Sequence, residues 1–314
     1  MWKKSLTVCG VLGLGATLWA AMPAQGSIAS FSDDFTGTAG SAPDSSLWTN
    51  AVAPTNGTVK LTQDGNSNLV GDVSAQAGNS NHAVIRSVRS DFDFFQQPLT
   101  VQWKLTSLTG TTTATGDLND SNRAYLMIVG NDNGTQTTTN AIPGGAIPSF
   151  GLVVDRLTDT TTSAVSYVFR LEQTVTKGGG NNVIFLTSKT LSGSTLPSLI
   201  TIQFDHVPNA SNPDKGELTV DLTGGTFTDT TNTLTAVSQE LNSTYNPGIL
   251  TEAAYNGTFY LAAGGINNGA SNTNAGTIAK FDSINVVVPE PASLGLLGLG
   301  SLLMLWPRRP VMAD

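Results

Sequence analysis

Between residues 27 and 288 the chain holds four glutamates, Glu172, Glu217, Glu240 and Glu252, two histidines, His82 and His206, and no cysteine. Retaining cleavage of a sugar bond needs two carboxyls about 5–5.5 Å apart. A single strand can supply such a pair at i, i+2, because alternate side chains share a face. No Glu-x-Asp-x-x-Glu arrangement occurs. Asp91 and Asp93 have the i, i+2 spacing, but Phe92, Phe94 and Phe95 around them mark a strand entry, so both read as solvated turn acids. Nucleophilic chemistry lacks its parts: there is no Gly-x-Ser-x-Gly, and the two histidines are isolated. Two isolated histidines do not make a zinc site either. The residues therefore lead to the expectation of a domain without enzymatic chemistry and without a cofactor.

Two weaker sets of groups remain. Asp117 and Asp120 (in Asp117-Leu118-Asn119-Asp120) and Asp132 (in Asn131-Asp132-Asn133-Gly134) put oxygen ligands on loops, as Ca²⁺ prefers. The same residue types are also the ordinary turn formers. Tyr245 and Tyr255 lie in loop sequence and are the aromatics placed to stack on a sugar, whereas Trp48 and Trp103 lie in apolar strand contexts and read as core.

The elements that must position these groups are strands. Charged residues make up 12% of the chain and hydrophobic residues 39%, with Val, Ile, Leu and Phe in clusters. Disordered chains combine few apolar residues with high charge, which is not this composition. Thr and β-branched residues favour extended backbone. Runs at Ala83–Val88, Leu99–Leu105, Tyr125–Val129, Phe150–Asp155, Val165–Val175, Val183–Leu191, Leu199–Val207, Glu217–Leu222 and Ile278–Val288 read as strands, with others at Thr58–Thr62 and Thr258–Ala263. Val101, Trp103 and Leu105 alternate with polar neighbours, which predicts one face buried and one wet. Gly- and Asn-containing turns such as Asn133-Gly134 and Asn256-Gly257 separate the runs. No helical period of useful length intervenes, so the expected fold is all-β, a two-sheet antiparallel sandwich of jelly-roll type over residues 27–288. Thr109–Asn122 and Asn131–Pro148 are predicted to be long loops.

The ends read as addresses. Lys3 and Lys4, an apolar stretch from Leu6 to Ala21, and small residues at Ala24 and Gly26 form a signal peptide over residues 1–26, cleaved between Gly26 and Ser27. An uncleaved anchor is the alternative, and it too implies export. Without both ends the chain has 11 bases and 21 acids, a surface that repels phosphate backbones, so nucleic acid is excluded as a partner. At the other end Pro289-Glu290-Pro291 precedes about 15 apolar residues and then Arg308-Arg309. A helix of that length spans roughly 22 Å, short of the roughly 30 Å hydrocarbon core.

This order of Pro-Glu-Pro, glycine-rich apolar helix and arginine pair over residues 289–314 resembles the PEP-CTERM sorting tail of Gram-negative bacteria. The resemblance implies recognition of Pro289, Glu290 and Pro291 by an exosortase-like enzyme, with Arg308 and Arg309 as the stop. It also implies transient insertion in the inner membrane and delivery to the cell surface, outer envelope or extracellular matrix. Pro307 before the arginines and the five residues after them depart from the pattern, and a simple short anchor is the alternative. Phe31-Ser32-Asp33-Asp34-Phe35 with Leu47-Trp48, and Ala279–Val286 at the close, resemble the paired first and last strands of concanavalin A-like lectin and glucanase domains. The expected role is that of a non-enzymatic structural or adhesive protein, and the likeness implies an extracellular polysaccharide as its partner. Its alternatives are a polysaccharide hydrolase or lyase whose acidic site the spacing does not reveal, and a surface protein with no ligand.

Overall fold

The structure is a computed structural model. It describes residues 29–53, 59–74, 81–110, 121–130, 148–159, 161–177, 180–192, 195–206, 216–224, 232–237, 257–268 and 276–287. Among these the chain forms β1 (Phe31–Asp33), β2 (Trp48–Ala53), β3 (Lys60–Gln63), β4 (Leu69–Asp72), β5 (His82–Ser87), β6 (Leu99–Thr109), β7 (Ser121–Val129) and β8 (Ser149–Thr158). It continues with β9 (Val165–Lys177), β10 (Gly180–Ser192), β11 (Leu199–His206), β12 (Gly216–Thr223), β13 (Thr233–Val237), β14 (Tyr260–Asn268) and β15 (Ile278–Val287). These build two antiparallel sheets, ordered β13-β12-β11-β6-β15-β4-β3 with β1 beside β15, and β10-β9-β8-β7-β14-β5-β2. The expected jelly-roll sandwich is the fold. Among the described residues no helix is long and apolar enough to cross a membrane.

The first sheet obeys the alternation read from the sequence. In β6, Leu99, Val101, Trp103 and Leu105 are buried while Lys104 and Thr106 are exposed. The core lies between the sheets, where Trp103 stacks on Phe281 at 5.6 Å and Phe94 meets Phe150 and Phe204 at 5.9 and 5.7 Å. Burying each such ring is worth roughly 1.5–3 kcal/mol. The opening and closing strands pair, Phe31 opposite Val286. The Trp48 indole donates to Asp33 Oδ2 at 2.7 Å, and the Phe35 amide donates to Asp33 Oδ1 at 2.8 Å. Asp33 thus fixes the turn in which Phe35 takes φ +48°.

The seven-stranded sheet departs from the expected one-wet-face pattern. Ala124, Leu126 and Ile128 of β7 enter the central core, yet Tyr125, Met127 and Val129 on the opposite face are also fully buried. Val84, Val153, Ala262 and Ile266 join them in a second apolar cluster. The physical reason is visible in the composition: Ala124–Val129 is an unbroken apolar run, which is how a strand buried on both faces reads. Boundaries shifted as well. β7 begins at Ser121 because Asn122, buried, donates to Thr277 Oγ1 at 2.8 Å. β2, β4 and β13 were not predicted, being short and rich in Thr, Asn and Gly.

Candidate active site

Alternation along β9 sends Phe169 and Leu171 into the core and Arg170, Glu172 and Thr174 to the other face of the sheet. On the neighbouring β8, Phe150, Leu152 and Val154 point inward, and Ser149, Val153 and Asp155 share the face of Glu172. The register sets Val153 opposite Arg170 and Gly151 opposite Glu172, while Arg123 of β7 lies opposite Asp155. Four charged groups from three strands are thereby gathered where the sheet is buried on both sides.

Their geometry is a chain of ion pairs. Arg123 Nε donates to Asp155 Oδ1 at 2.7 Å and Arg170 Nε donates to Asp155 Oδ2 at 2.5 Å. Arg170 Nη2 also lies 3.1 Å from Glu172 Oε1, at an angle that makes no hydrogen bond, so both Glu172 oxygens lack a donor. Asp155, Arg170 and Glu172 are each 0–1% exposed. Loss of water dominates at Glu172: burial raises its pKa to about 7, against the opposing pull of Arg170 and Arg123 and with a further push from Asp155. The Arg170 guanidinium sits 4.4 Å above the ring of Phe185 on β10. Both carboxyls lie against the one Arg170 guanidinium, so their nearest oxygens are no more than about 8 Å apart. An acid raised toward neutrality beside a firmly held carboxylate is the charge pairing that a proton donor to a leaving oxygen uses, and in this arrangement both groups are closed off from solvent.

The residues singled out by sequence fall elsewhere. Asp117, Asp120 and Asp132, Tyr245 and Tyr255, the Gly26–Ser27 junction, and Pro289, Glu290, Pro291, Arg308 and Arg309 lie outside the described residues, as does the apolar segment expected to be helical after them. Asp91 is a turn acid paired with Arg89 at 2.7 Å, and Asp93 Oδ1 accepts the Phe95 amide, as expected. Trp48 and Trp103 are core. His206 ends β11 against the ring of Phe95, 5.6 Å away, while His82 is buried on β5. Glu217 and Asp221, four apart on β12, face outward and away from the core, and Asp221 accepts a hydrogen bond from Thr233 Oγ1 at 2.6 Å. Among the described residues no group of three or more His, Cys, Asp or Glu side chains is placed to hold a metal ion. An open cleft of about 440 Å³ along Lys104–Thr109 and Thr195–Ser198, and another of about 510 Å³ beside Asp33, Asp34 and Asp44, lie away from the buried carboxyls.

Glu172 and Asp155 escaped a search for same-strand spacing because they belong to different strands. What signals them is charge in the wrong place: Arg170 and Glu172 interleave with Phe169 and Leu171, and Asp155 closes the apolar run from Phe150, in a chain with few charges.

No protein-family model matches the chain, and no curated protein sequence matches it. Solved structures do. An immunostimulatory antigen and pseudo-β-1,3-glucanase of Mycobacterium tuberculosis aligns over 83% of this chain and 98% of its own, with 13% identity and a TM-score of 0.45. An endo-1,3-β-glucanase from Streptomyces sioyaensis aligns over 85% and 97%, with 15% identity and a TM-score of 0.41. A LamA variant of Zobellia galactanivorans in complex with laminaritriose and laminaritetraose aligns over 82% and 97%, with 14% identity and a TM-score of 0.43. The expectation of a domain that is not an enzyme is corrected by these neighbours, which carry glucanase names. What the likeness gives this chain is its fold, and the chemistry has to come from its own carboxyls.

Proposed function

We propose that this is an exported protein of the cell surface or extracellular matrix, sorted through its C-terminal tail by an exosortase-like enzyme, and that its jelly-roll domain hydrolyses a polysaccharide. The observation that supports the hydrolytic reading is Glu172, a carboxyl whose pKa burial raises to about 7 and which shares the Arg170 guanidinium with the Asp155 carboxylate. Glu172 is the proton donor to the glycosidic oxygen. Asp155, with one oxygen on each of two arginines, is the fixed negative charge that faces the developing oxocarbenium ion.

The test is reducing-end release from a panel of polysaccharides by the full chain and by Glu172→Gln. The wild type is expected to cleave at least one polymer, with a rate that falls as pH rises through about 7. Glu172→Gln is expected to lose roughly 10²–10⁴-fold, the usual worth of a general acid. Absence of cleavage by the wild type, or full activity in the variant, would sink the reading.

Sorting is supported by Pro289-Glu290-Pro291 and Arg308-Arg309. Intact mass of protein recovered from its native host is expected to give a species that starts near Ser27 and ends near Pro289-Glu290-Pro291. A species retaining Arg308 and Arg309 in the membrane means a simple anchor instead.

A further inference from the structure

In the first sheet β6 outruns one of its neighbours. β11 pairs with it only from Phe204 opposite Leu99 to Ile200 opposite Trp103, whereas β15 follows its other edge as far as Thr109. Carried on, the β11 register would set Pro197 opposite Thr106, and proline brings no N–H to a ladder. The chain turns the other way there: the Ser198 amide and hydroxyl both donate to the Thr223 carbonyl of β12, at 2.9 and 3.1 Å. Lys104–Thr109 is thus a strand edge inside a sheet, about 20 Å long at ~3.4 Å per residue. Among the described residues no strand lies along it.

The space that β11 leaves is the open cleft of about 440 Å³ between Lys104–Thr109 and Thr195–Ser198. Its inner side is apolar: Leu105, Leu108 and Pro197 are buried, Leu196 is half-buried, and Tyr167 of the second sheet lines the same cleft. The Tyr167 hydroxyl donates to the Leu108 carbonyl at 3.5 Å, the weak limit of such a bond, so this acceptor opens toward the cleft with capacity to spare. The rim bears hydroxyls, with Thr109, Thr195 and Ser198 exposed. Proteins commonly guard a bare edge with a free lysine. Here Lys104, the one charged residue among those described that line the cleft, is drawn across to Asp282 on β15 and away from the edge.

We propose that this edge docks an extended peptide segment of another protein, which takes the place β11 leaves and adds a strand between β6 and the Thr195–Ser198 wall. Side chains of an added strand point alternately to opposite faces. The segment therefore carries apolar residues at every second position, seated over Tyr167 and Leu196, with uncharged polar residues between them. Main-chain hydrogen bonds give such a site its affinity and the inward pockets its selectivity. A neutral glycan has no repeating N–H and C=O groups to match a strand edge. A second copy of this chain, at net charge −8, is repelled by the first, and the same charge favours a segment with basic flanks. The inference is independent of the hydrolytic reading, whose carboxyls lie on the other sheet.

The probe is a pool of short peptides in which valine, isoleucine, leucine, phenylalanine or tyrosine alternates with threonine, serine or asparagine, with a lysine at each end, offered to the full chain. Retained peptides are titrated by fluorescence anisotropy and located by amide hydrogen exchange. The expected result is saturable binding with slowed exchange within Lys104–Thr109. N-methylation of alternate peptide amides, which removes main-chain donors and keeps every side chain, is expected to cost about tenfold or more on one of the two peptide edges. Thr195→Trp, which fills the cleft from an exposed position, is expected to weaken binding by a similar factor, and Thr235→Trp, exposed on β13, to leave it unchanged. Near-ultraviolet circular dichroism shows whether each variant is folded. No retained peptide, binding indifferent to N-methylation of both edges or to Thr195→Trp, or protection of β10 or β13 in place of β6 overturns the inference. Displacement of the peptide by a neutral β-glucan oligosaccharide that itself protects Lys104–Thr109 overturns it in favour of a sugar site. Concentration-dependent dimerisation that protects the same amides overturns it in favour of a second copy.

Discussion

Asp155→Ala is expected to destabilise the domain by about 4 kcal/mol, the scale seen when one partner of a buried ion pair is deleted. Asp155 is fully buried and holds Arg123 at 2.7 Å and Arg170 at 2.5 Å. Without it, the one carboxylate left against Arg170 among the described residues is Glu172, which reaches it at 3.1 Å outside hydrogen-bond geometry. Some of the loss is recoverable. Glu172 is pushed up by burial and by the Asp155 charge, so removing that charge draws its carboxyl toward ionisation beside two arginines. Asp155→Ala combined with Glu172→Gln should therefore cost more than the sum of the single changes, because the double variant removes both carboxylates that face Arg170. Urea denaturation of the four proteins measures this. The exposed Asp34→Ala serves as control and is expected to fall within about 0.5 kcal/mol of wild type. If Asp155→Ala were equally mild, the ion chain would be decoration.

Glu172→Gln should behave in the opposite sense, and in a way that depends on pH. The folded-state pKa of Glu172 is about 7 against an ordinary value of 4.5, so the folded chain holds this proton more tightly than the unfolded chain does. Stability then falls as pH rises from 4.5 to about 7 and stays lowered above it, because the unfolded state sheds the proton first. A difference of that size corresponds to roughly 3 kcal/mol. The amide neither ionises nor carries this penalty. Glu172→Gln is expected to be more stable than wild type by up to that amount at pH 8, with the difference vanishing by pH 4. A stability difference that does not vary between pH 4 and 8 would show that Glu172 titrates alike in both states. The pairing of higher stability with lost turnover is the trade expected of a group kept for chemistry.

The sequence carried the strands better than the site. Alternation at Val101, Trp103 and Leu105, and the apolar runs from Phe150 and Tyr125, placed strands close to where they fold, because local pattern reports local burial. The pairing of Phe31 with Val286 was legible too, through the likeness of both ends to a known closing pair. The gathering of Asp155, Arg170 and Glu172 was not. It depends on the register that sets Val153 opposite Arg170 across a hairpin, and a shift of one residue would turn Glu172 into the core and bring Leu171 out. Register is fixed by the packing of both sheets, which no window of sequence contains. The second buried face was half legible: the unbroken Ala124–Val129 run announces it, and the alternating strands around it distract from it.

The pairing of the last strand has a mechanical consequence. β15 is bonded along one edge to β6 over Ile278–Val287, and along the other first to β4 and then to β1. A load that arrives through residue 287, where the chain leaves toward its tail, pulls along this strand and strains the hydrogen bonds on both edges together. Bonds loaded in parallel must fail together, whereas an edge strand such as β13, bonded among the described residues to β12 alone, peels one bond at a time. A domain tethered by that end would be gripped at one of its most force-resistant elements, so drag from a captured polymer would be borne by the first sheet while the carboxyls on the second keep their geometry.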